Sequence, residues 1–277
     1  MLKLKFLDIG LGTSTFIKTD NNLNIIFDCG QNNETGKNAF DELNGESLNY
    51  LILTHPHKDH IEALISKNYA KPEQMTKNNS IPKNLIEKQI SNANNDYDEK
   101  IFRKYKELND TYCHDVDQSI SYLNPDNNGN VEMIFFIPPN IVSDELNDYS
   151  IAAYLSYEGY KILLMGDNTP DNIDKLLEDQ EFKAKIKNVD VLLAPHHGRE
   201  SCYSQELMEH VNPKITIISD KPEDDNESAS NKYSANSRGM IIDINGKSKF
   251  RSCITTRNDG DITVTIDNNN LSITCVK

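Results

Sequence analysis

The hydrophobic positions of this chain fall into short runs separated by polar loops, a pattern that predicts strands alternating with helices. Most runs are rich in Ile, Leu and Phe and too short for a buried helix, which is typical of strands. Gly, Asn and Asp mark the turns between them. We predict strands at residues 4–7, 15–17, 24–27, 50–53, 131–137, 147–155, 161–165, 189–194, 214–219, 250–256, 261–266 and 271–276, and helices at residues 36–43, 61–67, 170–177 and 204–210.

The order of these elements predicts an α/β fold. Strands, loops and helices alternate along the chain, and neither an internal repeat nor a long linker suggests a second domain. We therefore predict a single domain over residues 1–277. The three C-terminal strands are expected to complete the second of two sheets.

One segment, at about residues 71–124, departs from this pattern and is interpreted as an insertion. Lys, Asn, Asp and Glu dominate it, and runs of β-branched residues are few. Within it, Ile101, Tyr105 and Leu108 recur at helical spacing, which predicts a helix over residues 99–108. The insertion is therefore expected to be helical.

A cluster of metal-binding residue types follows the predicted strand at residues 50–53. Three histidines and one aspartate, His55, His57, Asp59 and His60, lie within six residues. Imidazole nitrogen and carboxylate oxygen form the mixture of donors that suits Zn²⁺, Mn²⁺ or Fe²⁺. A solvated loop that carries histidines by chance is the alternative. The position at a strand end, a usual place for chemistry, favours a metal site.

Two later strand ends carry similar residues. Gly166 and Asp167 end a predicted hairpin, and glycine lets the backbone approach a metal closely while the strand fixes the carboxylate. His196 and His197 follow the strand at residues 189–194. Five of the seven histidines thus lie just beyond predicted strand ends, and the remaining two are interpreted as surface residues.

The spacing His-x-His-x-Asp-His resembles the motif of the metallo-β-lactamase superfamily, and other segments match that family in order. The resemblance is in particular to the hydrolase domain at the end of ComEC-type competence proteins. Residues 6–12 resemble the opening of that domain and residues 195–198 its His-His-Gly element, although Leu11 and Thr13 stand where the family commonly has Gln and Asp. The resemblance implies an αββα metallo-β-lactamase-type sandwich, here with a helical insertion, and a metal centre at the edge of the two sheets.

The same resemblance implies the roles of the site residues and two divalent ions, Mn²⁺ or Zn²⁺ with Mg²⁺ as a further option. His55 and His57 would serve the first metal, Asp59 and His60 the second, and Asp167 both. His196 or His197 would add a nitrogen at the second metal, and catalytic roles fall to Asp59 and His197. Roles around the metals or toward the substrate are implied for Asp28, Asn147, Asp148, Ser150, Asn231 and Tyr233.

The chain also departs from the family at two ligand positions. Much of the superfamily has a third histidine at the first metal, but the one histidine between His60 and Asp167 is His114, inside the insertion. With Asn147, Asp148 or water in its place, the first site becomes richer in oxygen and is expected to prefer Mn²⁺ or Mg²⁺. A late histidine that often follows the segment of Asn231 and Tyr233 is also missing.

Composition limits the classes of function. With 277 residues, of which 37% are hydrophobic and 26% charged, the chain can bury a sizeable core. No apolar stretch approaches the ~18 residues that a membrane span needs. The N-terminus also lacks the layout of a signal peptide. The five cysteines are scattered and form no Cys-x-x-Cys pair, which favours reduced, buried thiols. We therefore expect a cytoplasmic protein with no membrane partner.

The net charge of −14 disfavours avid binding of long nucleic acid, because a surface that follows phosphates is normally basic. It does not exclude a nuclease, since bound metals add positive charge in the active site. Lys100, Arg103 and Lys104 could form a basic lid over that site. A solvated amphipathic helix is the alternative.

Three hypotheses about function follow. The first is a divalent-metal-dependent hydrolase that uses a metal-activated water, a phosphodiesterase or nuclease with a nucleic acid or nucleotide substrate. The second is a hydrolase of small molecules such as a cyclic nucleotide, a thioester or a lactam. The third is a non-catalytic metal-binding module. The sequence identifies no protein partner.

Overall fold

The backbone forms two β-sheets that pack face to face, with helices on both outer sides. The computed structural model describes residues 1–221 and 227–277, and every structural statement below concerns these residues. The arrangement is an αββα sandwich of the metallo-β-lactamase type, so the predicted fold class is confirmed. Among the described residues, no helix has the length and apolar character to cross a bilayer.

The strands of the described chain are close to those predicted in the first two thirds of the sequence. They are β1 (Leu2–Phe6), β2 (Ser14–Lys18), β3 (Asn24–Cys29), β4 (Tyr50–Ile52), β5 (Gln74–Thr76), β6 (Glu132–Phe136), β7 (Ala152–Tyr157), β8 (Tyr160–Leu164), β9 (Val191–Leu193), β10 (Ile215–Ile218), β11 (Met240–Ile244), β12 (Lys247–Arg251), β13 (Cys253–Thr255), β14 (Asp261–Asp267) and β15 (Asn270–Val276).

The helices lie mainly in the connections between strands. They are α1 (Lys58–Ile61), α2 (Lys83–Ser91), α3 (Asp96–Thr111), α4 (Pro170–Glu178), α5 (Gln180–Ile186), α6 (Gln205–Val211), α7 (Ser230–Ala235) and α8 (Thr256–Asp259). Short 3-10 turns are formed by Ala39–Leu43, Glu62–Ile65, Pro125–Asn127, Leu146–Tyr149, Pro195–Gly198 and Glu200–Cys202.

The two sheets divide the described strands unequally. The first sheet has the order β12-β11-β15-β14-β1-β2-β3-β4-β5, and the second has the order β13-β10-β9-β8-β7-β6. The expectation for the C-terminal strands was therefore wrong for most of them. Among them only β13 joins the second sheet, because β14 pairs with β1 and brings β15, β11 and β12 into the first.

The core has three apolar layers. Between the sheets, alternate residues of facing strands, such as Leu4, Phe27 and Leu164, are fully buried. On the outer side of the first sheet, α3 packs through Ile101 and Tyr105, among others. α1 and α2 belong to the same layer, whereas α4, α5, α6 and α7 cover the second sheet. Such burial removes apolar surface from water, which is the main force that holds the layers together.

Residues 71–124 contribute a strand as well as helices. β5 extends the first sheet beside β4, and neither β5 nor α2 was predicted. The predicted helix at residues 99–108 lies within α3, where two of the basic residues, Arg103 and Lys104, pair with Glu99 and Glu107 of the same helix. Because these charges are already paired, the contacts favour a solvated amphipathic helix over a basic lid.

Candidate metal centre

The segment that follows β4 and runs into α1, residues 54–60, is held by close backbone contacts and is called the metal loop below. Thr13 N–H donates to the Asp59 carbonyl oxygen at 3.2 Å. A Cβ atom at Gly12 or Gly30 would lie 2.3 or 2.1 Å from that oxygen. Both positions therefore require glycine, and the close contacts of Gly12 and Gly30 fix the position of the Asp59 backbone relative to the first sheet.

The first group of candidate ligands is formed by His55, His57 and Asp167. His55 Nε2 lies 3.1 Å from His57 Nδ1 and 3.8 Å from Asp167 Oδ2. Two imidazole nitrogens at this separation cannot both present lone pairs to each other without a proton or a cation between them. The ligand atoms of the group all lie within 4.8 Å of one another.

The second group is formed by Asp59, His60, Asp167 and His197. His197 Nε2 lies 3.2 Å from Asp59 Oδ2 and 3.4 Å from both His60 Nε2 and Asp167 Oδ2. His60 Nε2 lies 3.2 Å from the other oxygen of Asp167. Asp167 thus belongs to both groups, and its role as a bridge between two ions stays a prediction.

Backbone geometry at two strand ends brings Asp167 and His197 to this point. After β8, Gly166 has φ +53°, and a Cβ there would lie 2.4 Å from Ser150 Oγ. That hydroxyl accepts the Asp167 N–H at 2.8 Å. After β9, His196 and His197 adopt φ of 47° and 55°. Left-handed residues other than glycine cost about 1–3 kcal/mol each and concentrate at functional sites.

The ligand imidazoles are oriented from behind by hydrogen bonds to their Nδ1 atoms. His60 Nδ1 lies 2.8 Å from Asp28 Oδ2, and His197 Nδ1 lies 3.0 Å from the Ser219 carbonyl oxygen. His55 Nδ1 lies 3.0 Å from Thr54 Oγ1. These contacts leave Nε2 of all three rings facing the carboxylates, the usual arrangement around a protein-bound metal.

The charges at the centre are strongly coupled. Burial alone would lower the pKa of His60, but the Asp167 carboxylate raises it well above the usual value. In the same way Asp167 and Asp59 overcome burial and raise the pKa of His197 to about 10. Burial would raise the pKa of Asp167, yet His197 and His60 hold it well below its usual range. Nearby positive charge thus stabilises the buried carboxylates. A divalent ion would stabilise them more strongly.

The donor set fits divalent ions. Imidazole nitrogens and carboxylate oxygens lie close together in both groups, and each group holds at least three donors. Burial lowers the pKa of His57, and a hydrogen bond with the Asn147 side chain opposes this effect. The Oδ1 atom of Asn147 is buried. An oxygen donor is therefore available beside the first group, which has no third histidine.

Several predicted site residues lie outside both groups. His196 directs Nδ1 to the Cys202 thiol at 3.1 Å, and its Nε2 lies 3.8 Å from Asp167 Oδ2. The Asp148 carboxylate accepts hydrogen bonds from Ser143 and Thr169. These contacts place both residues behind or beside the ligands, and a direct role in metal binding stays a prediction.

The residues predicted from the late Asn-Tyr segment are not brought to the metals either. Tyr233 of α7 is buried, with its ring 5.1 Å from that of Tyr203. Asn231 lines a separate depression of about 270 Å³ next to Arg251. His114 is exposed and lines a cavity beside β5.

The sequence did not reveal two of the groups that support the ligands. Thr54 is fully buried and donates both its N–H and its hydroxyl to Asp28. Its position, as a polar residue between an apolar strand and three histidines, is a signal from which this supporting role could have been predicted. Ser219 contributes a backbone carbonyl to His197, and no side-chain pattern announces such a contact.

Comparison with known proteins agrees with the motif. A model of the metallo-beta-lactamase superfamily matches residues 7–64, which include the metal loop and Asp28 but neither Asp167 nor His197. No curated protein sequence matches the chain. The family match supports the superfamily, and kinship with ComEC-type proteins stays a prediction.

Similar solved structures include three of different kinds. YhfI from Bacillus subtilis, a metallo-beta-lactamase fold protein, is 13% identical over 78% of this chain and 85% of its own, with a TM-score of 0.41. A putative metallo-beta-lactamase from Thermotoga maritima is 16% identical over 70% of this chain and 96% of its own, with a TM-score of 0.38. A long form of RNase Z from yeast is 15% identical over 78% of this chain and 36% of its own, with a TM-score of 0.37.

Proposed function

We propose that this chain is a divalent-metal-dependent hydrolase with two ions, and that it acts as a phosphodiesterase or nuclease. The observation that carries the proposal is the position of Asp167, whose two oxygens face the second group while one of them also faces His55 of the first. A shared carboxylate is what a pair of neighbouring ions requires. Ions held there would supply a nucleophile from water and positive charge for the oxygens of the substrate.

The exposure of the ligands indicates the side from which a substrate enters. The side chains of His55, His60, Asp167 and His197 are at most 4% exposed. Asp59 and His196 are 30% and 22% exposed. A substrate therefore approaches over Asp59 and His196, where Asp59 is placed to hold or move a proton of an attacking water. The other side chains lie away from solvent, where a lower dielectric constant strengthens electrostatic interactions.

The nature of the donors supports a preference among metals. The first group has two imidazoles and one carboxylate, with the Asn147 amide oxygen beside it. Such a site is harder than one with three histidines, so we expect Mn²⁺ or Mg²⁺ to bind it better than the superfamily's common zinc site. The second group, with two imidazoles and two carboxylates, suits Zn²⁺ or Mn²⁺.

Hydrolysis of a small substrate is the second candidate. The net charge is −14, and Arg103 and Lys104 of α3 are each paired with a glutamate. A long polyanion would find little free positive charge in that helix. A cyclic dinucleotide, a thioester or a lactam would need only the metals and the walls of the site. The third possibility, a metal-binding module without catalysis, predicts tight metal binding and no turnover.

Metal analysis followed by substrate screening tests these candidates. Metal-stripped protein is loaded with Mn²⁺, Mg²⁺ or Zn²⁺ and incubated with single-stranded DNA, RNA, plasmid, cyclic dinucleotides, a thioester and a lactam. We expect cleavage of a phosphodiester with Mn²⁺, lost in Asp167→Asn and kept in the surface variant His210→Ala. Bound metal without cleavage of any substrate would overturn the hydrolase assignment.

A charge variant distinguishes a nucleic-acid substrate from a small-molecule substrate. Replacement of Lys100, Arg103 and Lys104 by Gln should weaken capture of a nucleic acid and flatten its salt dependence. A small substrate should respond to neither change. Equal activity and an equal salt response of the variant on DNA would remove the lid hypothesis.

A further inference from the structure

A second cavity lies away from the metal centre, beside the edge strand β5. Its volume is about 620 Å³, and its walls include Tyr50, Thr76, Lys77, His114, Asp115 and Gln118. No ligand of either metal group lines it. A space of this size falls in the range that small-molecule sites occupy.

The cavity is built by a loop that is fastened across the strand. The Gln74 side chain donates Nε2–H to the Ile120 carbonyl at 2.7 Å and accepts the Tyr122 N–H at 3.0 Å. Tyr112 donates its hydroxyl to the Pro72 carbonyl at the other end. These hydrogen bonds tie the two ends of residues 112–122 to β5 and to the residue pair before it, and the cavity lies between this segment and the strand.

A buried lysine forms part of the inner wall. Lys77 is only 7% exposed, and its ammonium donates to Asn79 Oδ1 at 2.5 Å. Among the described residues it forms no salt bridge, and Asp110 and the Cys113 thiol oppose the effect of burial on its pKa only at longer range. An ammonium has three donors and is costly to bury without an opposite charge. In agreement, burial lowers the pKa of Lys77.

Acidic residues lie on the exposed part of the wall. Asp117 is occupied by the Ser119 N–H and hydroxyl, at 2.8 and 2.6 Å. Asp115 is exposed and lines the cavity. The cavity wall thus carries a buried ammonium, Lys77, and an exposed carboxylate, Asp115. A ligand with several negative charges would be repelled by Asp115, whereas one that carries both signs of charge would be attracted to both groups.

We propose that this cavity binds a small zwitterion of the amino-acid type, with its carboxylate on Lys77 and its ammonium toward Asp115. The amides of Asn79 and Gln118 are available for polar contacts. The proposal does not depend on the chemistry at the metal centre, because the two sites share no residue.

Calorimetric titration of the full chain with individual amino acids tests the proposal. Each amino acid is compared with its deaminated acid and its decarboxylated amine. At least one amino acid should bind the wild type, and Lys77→Met should weaken it at least ten-fold. Lys83→Met is the matched control, because Lys83 is an exposed lysine outside the cavity and its loss changes the net charge equally. Asp167→Asn should bind the amino acid as the wild type does.

A second variant keeps the test valid if Lys77→Met fails to fold. Asp115→Asn alters an exposed residue and should weaken the amino acid but leave the deaminated acid unchanged. Absence of binding for every amino acid would overturn the proposal. So would equal binding by the wild type and both cavity variants. A deaminated acid that binds as tightly as its amino acid would show that Asp115 has no part in recognition and would overturn the zwitterion assignment.

Discussion

Asp28 Oδ2 lies 2.8 Å from His60 Nδ1, and both side chains are fully buried. Asp28 adopts φ +52° at the end of β3 and also accepts two hydrogen bonds from Thr54, both at 2.8 Å. Three donors therefore converge on one carboxylate. This carboxylate fixes which nitrogen of His60 faces the metals.

Asp28→Asn is expected to weaken metal binding. The amide nitrogen that replaces one carboxylate oxygen cannot accept a hydrogen bond, and it would face an N–H or O–H donor. The ring of His60 would therefore lose its fixed orientation. Partners of this kind typically contribute 10–100-fold to metal affinity, and we expect a loss of about this size. Competition titration with a chelator measures it. Asp20→Asn, on an exposed residue, is the control. Unchanged affinity in Asp28→Asn would show that the contact with His60 does not support the ligand.

His57→Ala and Asp59→Ala should each remove metal and abolish hydrolysis. His57 and Asp59 lie in the partly exposed metal loop, outside the apolar core, so the fold should persist. We expect activity to fall at least about a hundred-fold, more than for a supporting residue. Circular dichroism checks the fold, and metal analysis checks the site. Wild-type activity of either variant after stripping and reconstitution would refute the assignment of the loop.

Metal binding to stripped protein should release protons. The Asp167 and Asp59 carboxylates raise the pKa of His197 to about 10, so its ring is charged at pH 8 without metal, and the pKa of His60 is also raised. A charged ring must lose its proton to become a ligand, and apparent affinity should therefore rise with pH toward 10. Calorimetry in buffers of different ionisation enthalpy counts the protons. His197→Asn should release one fewer. Affinity that does not change between pH 6 and pH 8 would contradict the charge state inferred for these rings.

The two metal positions should be unequal. Stripped protein titrated with Mn²⁺ is expected to show one tight and one weaker site, with activity only as the weaker one fills. Asn147→His would place an imidazole where a buried amide oxygen now lies and should raise the zinc affinity of the weaker site. His114→Ala should change nothing, since His114 belongs to neither group. Two equally tight zinc sites in the wild type would refute this inequality.

Gly30→Ala should damage the centre without touching a ligand. The added methyl group would lie 2.1 Å from the Asp59 carbonyl oxygen, so the metal loop must shift. We expect a large loss of metal affinity and of stability. Gly36→Ala is a useful comparison, because its Cβ would meet no atom within 4 Å although its φ is +75°. It should cost only about 1 kcal/mol in unfolding free energy. A Gly30→Ala protein with normal metal content would disprove the steric role of this glycine.

The sequence predicted the fold where periodicity and strand-end chemistry agree. The metal loop, Asp167 and the pair His196-His197 follow strands that were correctly placed, because short apolar runs bounded by turn residues leave few alternatives. The sequence could not distinguish His196 from His197, because the two residues share a turn in which both have positive φ. Their Nε2 atoms lie 3.8 and 3.4 Å from Asp167 Oδ2, respectively.

The C-terminal strands show what a sequence pattern cannot reveal. Apolar and polar residues alternate in β14 and β15 as they would in a strand of either sheet. The alternation therefore identifies each segment as a strand but does not show which strand it pairs with. The pairing of β14 with β1 is a contact between distant parts of the chain. β5 was missed for a related reason, since its three half-buried residues, Gln74–Thr76, carry no apolar run.

The distance along the chain between the ligands has a consequence for biogenesis. His60 and His197 face each other across 137 residues of sequence. A ribosome releases the metal loop long before β9 exists, and contacts of such high sequence separation form late in folding. The nascent chain can offer an ion only the imidazoles and the carboxylate of the metal loop. Metal selection is therefore a property of the finished protein, governed by the ions available after release.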